Sequence, residues 1–282
     1  MIKLLITDLD DTLYSWIGFF IPAFYGMVDE LSLILGKDKE EMLGEYKCIH
    51  QQKGSVEYPY ATMYLPSVQA AFPNYSQEEL LRALNPAFHK FNSIRKKKLQ
   101  LYPHVKETLS QISEMDIIIV GYTESAEENG FYRLQKLGID ELFHKVYVSH
   151  SQFERPNHLP SSEKTEIVQG KKPNPELICQ ICAHESILTD ETLYIGDNIT
   201  KDIFMAKMAG VTSVLCKYPC DAQTSADQYQ KLVAISHWTE EDFQREIEIK
   251  NVCHNKNIQP DYTVDSFDRL IMIIKKINGV IL

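Results

Sequence analysis

The sequence lacks the surplus of basic residues that a nucleic-acid-binding surface normally requires. Its 29 lysines and arginines are outnumbered by 39 aspartates and glutamates, giving a formal net charge of −10 at pH 7. Such a charge repels the phosphate backbone of DNA or RNA, so we expect no nucleic-acid partner. The basic run Arg95-Lys96-Lys97-Lys98 is better explained as the solvated last turn of a helix, where cations complement the helix dipole, than as a phosphate-attracting patch.

Long apolar stretches, internal repeats and low-complexity tracts are also lacking. The apolar run from Trp16 to Val28 contains Pro22 and is closed by two acids, so we expect it to be too short to span a bilayer. A signal peptide would have to include the acidic cluster near residue 8 in its apolar part. We therefore expect a cytoplasmic protein without a membrane partner.

Cysteine is scarce, with six residues, which fits a reducing compartment and free thiols. Two pairs, Cys179/Cys182 and Cys216/Cys220, are the candidates for a zinc site. Zinc ligands usually come in pairs on turns, whereas the first pair falls on a predicted helix and Cys216 ends a predicted strand. We therefore expect no structural zinc.

The remaining composition is that of an ordinary globular protein, with 44% hydrophobic and 24% charged residues over 282 positions. This length allows one large α/β domain, or a core with a smaller partner. Short apolar runs alternate with helical patterns, which predicts a parallel sheet covered by helices on both faces. The predicted strands are Lys3–Ile6, Ile117–Val120, Val146–Ser149, a run that begins at Leu193, Val211–Leu215 and Tyr262–Val264. The polar stretch Gln152–Gly170 is interpreted as a surface excursion.

Two parts of the chain are predicted to be helical without intervening strands. In residues 15–99 the predicted helices are Trp16–Leu35, Lys39–Gln52 and Leu80–Lys98; the last opens with a Ser76/Glu79 capping box and is kinked or split at Asn85-Pro86. In residues 218–258 they are Ser225–Ile235 and Thr239–Lys250, and this stretch is interpreted as a helical insertion.

Acidic residues follow the first predicted strand directly. The run reads Asp8-Leu9-Asp10-Asp11-Thr12. Ligands of open α/β sheets bind outside the carboxyl edge of the strands, where Asp8 and Asp10 would lie. One carboxylate can attack an electrophile while the other exchanges protons with the leaving group. Taken alone, the run fits a turn capped by Asp and Thr equally well.

Three later stretches repeat the pattern of a polar residue at a strand or helix end. Thr123 follows the strand Ile117–Val120, and Lys172 precedes a helix whose start is set by Pro175. The run from Leu193 leads into Asp197, with Asp202 five residues later. In this order, the four stretches resemble the motifs of the haloacid dehalogenase superfamily over residues 1–14 and about 100–215.

This resemblance implies a Rossmann-like, doubly wound parallel sheet formed by residues 1–14 and 100–282, with an α-helical cap domain, residues 15–99, that closes over the site. It also implies a Mg²⁺-dependent phosphatase acting on a small phosphomonoester, a nucleotide or sugar phosphate. Asp8 would attack phosphorus to form an aspartyl-phosphate, and Asp10 would serve as the acid and base. Thr123 and Lys172 would bind the phosphoryl oxygens.

The metal would be held by Asp8, the backbone carbonyl of Asp10 and Asp197, because Mg²⁺ prefers oxygen ligands and keeps waters that a phosphate can displace. Asp202 is either an outer ligand or the N-cap of the helix it begins. Lys171 competes with Lys172 for the catalytic role, and the Lys-Pro-x-Pro pattern favours Lys172.

Three neighbouring features leave the substrate open. Asp11 stands where many relatives have glycine, and we expect it outside the metal shell. Glu124 adds a negative charge beside the phosphate pocket, which would disfavour anionic substrates. Aromatic residues of the segment 15–99 (Tyr58, Tyr60 and Tyr64, and the group Trp16, Phe19 and Phe20) could line a pocket, although helix packing explains them better.

Other reactions and roles remain open. A phosphomutase would keep all four motifs and differ in excluding water from the phospho-aspartate. A phosphonate-cleaving enzyme would need a lysine in the cap, and the segment 15–99 has several. A dehalogenase is disfavoured because those relatives lack the acid that corresponds to Asp10. From another class, the chain could be a catalytically idle binding or regulatory protein, with residues 218–258 as its interaction surface. The sequence leaves the oligomeric state open.

Overall fold

The computed structural model describes residues 1–150, 162–218 and 222–280. Within these residues one seven-stranded sheet forms the centre of the molecule. Its strands are β1 (Leu4–Thr7), β2 (Ile118–Ala126), β3 (Lys145–Ser149), β4 (Thr165–Val168), β5 (Thr192–Gly196), β6 (Thr212–Cys216) and β7 (Tyr262–Val264).

Helices surround the sheet. Those in the described residues are α1 (Trp16–Leu35), α2 (Lys39–Lys53), α3 (Pro66–Ala71), α4 (Gln77–Ala83), α5 (Asn85–Lys98), α6 (Val105–Ser113), α7 (Glu127–Leu137), α8 (Pro175–His184), α9 (Phe204–Ala209), α10 (Ala222–Ile235), α11 (Glu240–Asn255) and α12 (Arg269–Ile277). Short 3-10 helices cover Pro59–Tyr64, Asp140–Leu142 and Thr189–Glu191, and a π-helical turn covers Ile199–Ile203.

The strand order β4-β3-β2-β1-β5-β6-β7, with every pair parallel, is that of a doubly wound sheet. The chain winds outward from β1 to β4, then returns to place β5 against the other side of β1. The direction of winding reverses at β1 and β5, and the crevice at their carboxyl ends is where such sheets bind ligands. The predicted α/β fold class is confirmed.

The central strand is buried on both faces. Leu4 and Ile6 pack in one apolar cluster with Ile178 of α8. Leu5 points to the opposite face and packs in the other cluster, with Leu109 of α6 and residues of α12. Because side chains alternate along a strand, an unbroken apolar run such as Leu4–Thr7 suits a strand covered on both faces.

Between β1 and α6 the chain forms only helical elements, which we call the helical segment (residues 15–99). Gly36 and Gly54 end α1 and α2 in the left-handed conformation, with φ of 64° and 67°. The predicted capping box is present at the start of α4, and the chain breaks between α4 and α5 at Asn85. The helices predicted here are therefore confirmed, including the split.

Helix α1 is longer than the apolar run used to judge it from the sequence. Its 20 residues, with a mean hydropathy of 1.4, meet the length and composition of a membrane span, a test that the shorter run Trp16–Val28 was not expected to meet. Half of the most apolar 18-residue stretch of α1 is buried inside the protein, with Phe24, Met27 and Val28 among the buried side chains. Burial of this kind is typical of a core helix.

Three details of the sheet differ from the predictions. The stretch Gln152–Gly170 contains the edge strand β4; its residues are half-exposed, so no buried run marked it, and residues 151–161 lie outside the described part. Strand β2 continues past Val120 to Ala126, with a register irregularity after Tyr122, so Thr123 lies within the strand. The helix predicted from Asp202 begins as the π-helical turn.

Helices α10 and α11 join the helical segment to the core; we call residues 222–255 the bridging segment. On one side Tyr25 Oη donates to the carbonyl of Lys231 (3.0 Å), and His50 Nδ1 donates to the carbonyl of Ile235 (2.7 Å). On the other side Thr200 Oγ1 donates to Glu246 of α11 (2.9 Å). The predicted insertion thus contacts both the helical segment and the loop after β5.

Candidate active site

A cleft of about 530 Å³ lies at the carboxyl ends of β1, β2 and β5. The strand register explains why distant residues meet there, since Thr7 pairs with Gly121 on one side and with Ile195 on the other. The cleft is lined by Asp8, Asp10, Asp11, Thr123, Glu124, Lys172, Asp197, Asn198, Lys201 and Asp202. All six site residues predicted from the sequence line it.

Asp8 continues β1 into the cleft. Its backbone N–H donates to the carbonyl of Ile195 (2.9 Å), which extends the pairing with β5 by one residue. Its side chain is 7% exposed; Oδ2 accepts from Thr12 Oγ1 (3.2 Å) and Oδ1 from Lys172 Nζ (2.5 Å). Burial raises the pKa of the Asp8 carboxyl, and the charge of Lys172 opposes that rise.

Lys172 is the buried cation of the site. Its ammonium donates to Asp8 Oδ1, to Asp202 Oδ1 (2.8 Å) and to Tyr194 Oη (3.0 Å), so all three of its protons have acceptors. Burial alone would lower the pKa of Lys172, but the carboxylates of Asp202 and Asp8 outweigh it and raise the pKa well above its usual value. By contrast, Lys171 is exposed and lies 3.4 Å from Asp242, outside the cleft.

Carboxylate oxygens of Asp8, Asp197 and Asp202 lie within 4.8 Å of one another. Burial, and then the charges of Asp202 and Asp11, raise the pKa of Asp197 to about 8, although its side chain is exposed at the mouth of the cleft. Close anionic oxygens destabilise one another unless a cation lies among them. This donor set is all oxygen and fits Mg²⁺.

The Asp202 carboxylate is already engaged by protein groups. Tyr194 Oη and Lys172 Nζ both donate to its Oδ1, and the backbone N–H of Asn198 donates to Oδ2 (3.1 Å). Asn198 caps the π-helical turn, since its Oδ1 accepts from the backbone of Thr200 (2.9 Å). The alternative prediction that Asp202 caps a helix is therefore wrong.

Asp10 is held by three donors. Thr123 Oγ1 (3.1 Å) and Ser125 Oγ (2.9 Å) donate to its Oδ2, and Arg133 Nη1 (2.7 Å) donates to Oδ1. Its side chain remains 23% exposed toward the cleft. The Thr123 hydroxyl thus contacts the second acid, which places Asp10, Thr123 and Ser125 in one hydrogen-bonded group.

Lys201 offsets the negative charge that Glu124 brings to the cleft. Its Nζ donates to Glu124 Oε2 (2.5 Å), and Glu124 Oε1 accepts the backbone N–H of Lys172 (3.1 Å). The expected repulsion of anionic substrates by Glu124 is therefore reduced. Asp11 has φ of 57°, where glycine is common and aspartate is tolerated, and its Oδ1 accepts the backbone N–H of Trp16 at the start of α1 (2.9 Å).

A second, much smaller pocket, with room for about one water molecule, lies between the helical segment and α7. It is lined by Phe19, Phe20, Glu57, Pro59, Phe91, Arg95, Asn129 and Arg133. Of the aromatic residues weighed as a pocket lining, Phe19 and Phe20 are buried in the core, in line with the favoured explanation of helix packing, whereas Tyr60 and Tyr64 are 39% and 51% exposed. Arg95 departs from the predicted solvated turn, because its guanidinium lies 5.0 Å from the ring centroid of Tyr132.

The cysteines have separate positions in the part of the chain that is described. Cys179 and Cys182 lie on α8, exposed and buried respectively, and Cys216 is buried at the end of β6. Cys220, the fourth residue of the zinc alternative, lies outside the described residues.

Four residues with direct contacts to the site were missed by sequence reasoning: Ser125, Arg133, Tyr194 and Lys201. Glu57, which contacts Arg133, was missed as well. A signal existed for Ser125, because it lies two positions after Thr123 and so points to the same face of β2. Arg133 and Glu57 come from α7 and the helical segment, where no strand end marks them.

A family model described as "Haloacid dehalogenase-like hydrolase" matches residues 5–216. A glyceraldehyde 3-phosphate phosphatase of Methanopyrus kandleri is 26% identical over 217 residues, covering 76% of this chain and 83% of the relative. A phosphoglycolate phosphatase of Mannheimia succiniciproducens is 29% identical over 146 residues, covering 51% and 54%. The crystal structure of a 2-haloacid dehalogenase from Pseudomonas syringae pv. Tomato superposes with a TM-score of 0.59 at 18% identity, covering 98% of this chain and 99% of that chain, and so shares the fold.

Proposed function

We propose that this chain, which belongs to the haloacid dehalogenase-like hydrolase family, is a Mg²⁺-dependent phosphatase of small phosphomonoesters. The observation that carries the proposal is the pair of differently held carboxylates in one cleft. Asp8 is buried against a lysine, whereas Asp10, two residues later, is held by hydroxyl donors and a guanidinium. Two acids in different environments suit two different roles in one reaction.

Asp8 is the proposed nucleophile. Its Oδ2 accepts a long hydrogen bond from the Thr12 hydroxyl (3.2 Å), while Lys172 holds Oδ1 and fixes the orientation of the carboxylate. Attack on phosphorus forms an aspartyl-phosphate and breaks the bond to the leaving oxygen. Lys172 also supplies positive charge beside the phosphoryl oxygens, which is where charge must be balanced in phosphoryl transfer.

Asp10 is the proposed acid and base. It gives a proton to the leaving alkoxide and then takes one from the water that hydrolyses the aspartyl-phosphate. Thr123 and Ser125 hold its Oδ2. Because the Thr123 hydroxyl has a single proton, it would bind a phosphoryl oxygen by giving up its bond to Asp10, while Ser125 keeps hold of the carboxylate. The presence of this acid favours phosphate esters over carbon–halogen bonds, whose leaving group needs no proton.

Mg²⁺ would be held by Asp8 and Asp197, with Asp202 and the backbone carbonyl of Asp10 as the further candidates. When bound, it would neutralise the anionic oxygens and orient the phosphate.

We further propose that residues 1–14 and 100–282 form the catalytic core and that the helical segment is a cap domain. We also propose that the protein is cytoplasmic and that its partners are small phosphorylated metabolites. The proposal leaves the oligomeric state open.

The names of the relatives direct the choice of substrates to test. Glyceraldehyde 3-phosphate and 2-phosphoglycolate, the substrates in those names, head the panel, followed by sugar phosphates and nucleotides. Phosphate release is measured with Mg²⁺ and with EDTA for the wild type and Asp8→Asn. Asp190→Asn is the matched control, because it removes the same charge from an exposed position at the opposite end of β5.

We expect Mg²⁺-dependent release that Asp8→Asn abolishes and Asp190→Asn preserves. Release that survives Asp8→Asn would contradict the proposed nucleophile. No release from any substrate, with measurable Mg²⁺ binding, would favour a phosphomutase or a binding protein with the same site.

A further inference from the structure

Arg133 connects the proposed acid to the helical segment. Its Nη1 donates to Asp10 Oδ1 (2.7 Å) and to Ser125 Oγ (3.1 Å), both on the sheet side of the cleft. Its Nη2 donates to Glu57 Oε1, on the helical segment. The guanidinium also lies 5.3 Å from the ring centroid of Phe19 on α1. One side chain thus spans from the reacting acid to two elements of the helical segment.

This guanidinium is buried, with 5% of the side chain exposed, and its partners compensate for its lost hydration. A buried guanidinium is costly unless carboxylates accept its N–H groups, and here one carboxylate comes from each side. Burial would lower the pKa of Arg133, but the charges of Glu57 and Asp10 raise it instead. Withdrawing Glu57 would leave Arg133 with a single carboxylate and open it to water.

Glu57 is itself fixed within the helical segment and against α7. Its Oε1 also accepts the indole N–H of Trp16, and its backbone carbonyl accepts Asn129 Nδ2 (3.1 Å). Its side chain is 11% exposed. The position of the Glu57 carboxylate therefore depends on how the helical segment packs against α7.

We propose that Arg133 is a positioning residue that holds Asp10 for proton transfer only while Glu57 is seated, so that docking of the helical segment completes the proton donor. This inference rests on the proposed function and deepens it. The two equilibria are reciprocal: if docking orders Asp10 through Arg133, then an ordered Asp10 favours docking by the same free energy.

The consequence is specific to the step in which the leaving oxygen is protonated. As Asp8 forms its bond to phosphorus, the bond to the leaving oxygen breaks and a proton moves from Asp10 to that oxygen. An alkoxide needs this proton, whereas the much more acidic p-nitrophenolate leaves without it. A misplaced Asp10 therefore slows alkyl phosphates far more than p-nitrophenyl phosphate.

The test compares kcat/KM for p-nitrophenyl phosphate with that for the fastest alkyl phosphate of the panel. We expect Arg133→Ala to lower the alkyl rate by about tenfold to a hundredfold more than the p-nitrophenyl rate. Glu57→Gln keeps the shape of the side chain but removes its charge, and should reproduce part of that difference. Lys136→Ala, an exposed cation on the same helix, should change neither rate. Equal factors for both substrates in Arg133→Ala would overturn the proposal.

Because Arg133→Ala empties a buried position, a second variant guards against a folding defect. Arg133→Lys keeps a cation but cannot bridge two carboxylates with a planar fork, so its alkyl-selective loss should be intermediate in a protein that melts near the wild type. If the wild type releases no phosphate at all, the proposed function fails, and the bridge is tested alone by a double-mutant cycle of Glu57→Gln and Arg133→Met in urea, in which both charges of the pair are removed. Non-additive unfolding would support the bridge, and additive unfolding would overturn it.

Discussion

Replacing Asp202 by asparagine tests whether this acid would bind Mg²⁺ directly or only hold Lys172 in place. Its neighbours Asp8 and Asp197 are the other acids of the proposed metal site. In the structure Asp202 Oδ1 accepts from Lys172 and Tyr194, and Oδ2 accepts the backbone N–H of Asn198. Asp197, in contrast, is exposed to the cleft. From these contacts we propose that Asp202 mainly holds Lys172 and would support the metal site from outside, whereas Asp197 would be a direct ligand.

The size of the effect follows from these contacts. Asp202→Asn keeps the volume and one acceptor oxygen but removes the charge opposite Lys172. Loss of an outer-shell partner typically costs tenfold to a hundredfold in metal affinity, which corresponds to about 1.4–2.7 kcal/mol. Asp197→Asn removes a proposed ligand, and we expect its Mg²⁺ binding to fall below detection.

Isothermal titration calorimetry with Mg²⁺ measures both variants against the wild type, with Asp190→Asn as the control for loss of one exposed charge. An Asp202→Asn protein that fails to bind Mg²⁺, as Asp197→Asn is expected to, would show that Asp202 is a direct ligand and refute the assignment. Unchanged affinity in Asp197→Asn would refute the site as a whole.

Further predictions follow from other contacts of the site and the bridging segment. Lys172→Met leaves Asp8 and Asp202 buried without their cation, and should lower the free energy of unfolding by about 3–5 kcal/mol in urea melts; an unchanged melt would contradict their pairing. Gly196→Ala would place a Cβ 2.4 Å from Asp202 Cγ, so we expect weaker Mg²⁺ binding and at least about tenfold slower turnover; wild-type kinetics would show that Asp202 can move freely. Burial lowers the pKa of His50 to about 4, so its contribution to stability is fully present above its unfolded pKa of about 6.5 and is lost as the pH falls toward 4. Between pH 7 and pH 5 the wild type should therefore lose about 2 kcal/mol more stability than His50→Gln, and equal losses in the two proteins would refute this.

The parts of the fold that could be predicted are those with a strong local signal. Strand β1 is an unbroken apolar run, Gly36 and Gly54 mark helix ends, and Asn85-Pro86 marks the split between α4 and α5. Strand β4 has no such signal, because its four residues lie at the sheet edge and are only half-buried.

The candidate site likewise has residues whose place the sequence indicates and residues whose place it does not. Asp8 and Asp197 follow apolar strands directly, so sequence alone indicates their place at the sheet edge. Their catalytic and metal-binding roles remain predictions. The ion pairs of Arg133 could not be foreseen: Arg133 and Glu57 are 76 positions apart and meet only because the helical segment packs on α7. Contacts that depend on packing between elements leave no periodic trace in the sequence.

The bridging segment sets the order in which this chain can finish folding during synthesis. Its hydrogen bonds reach back 206 residues to Tyr25 and 185 residues to His50. At about 5–20 residues per second, roughly 10–40 s pass between the synthesis of α1 and that of the helix that covers it. During that interval Phe24 and its neighbours can bury themselves only against the rest of the helical segment. The side of α1 that faces α10 therefore stays uncovered in the nascent chain until α10, which ends at Ile235, has emerged from the ribosome.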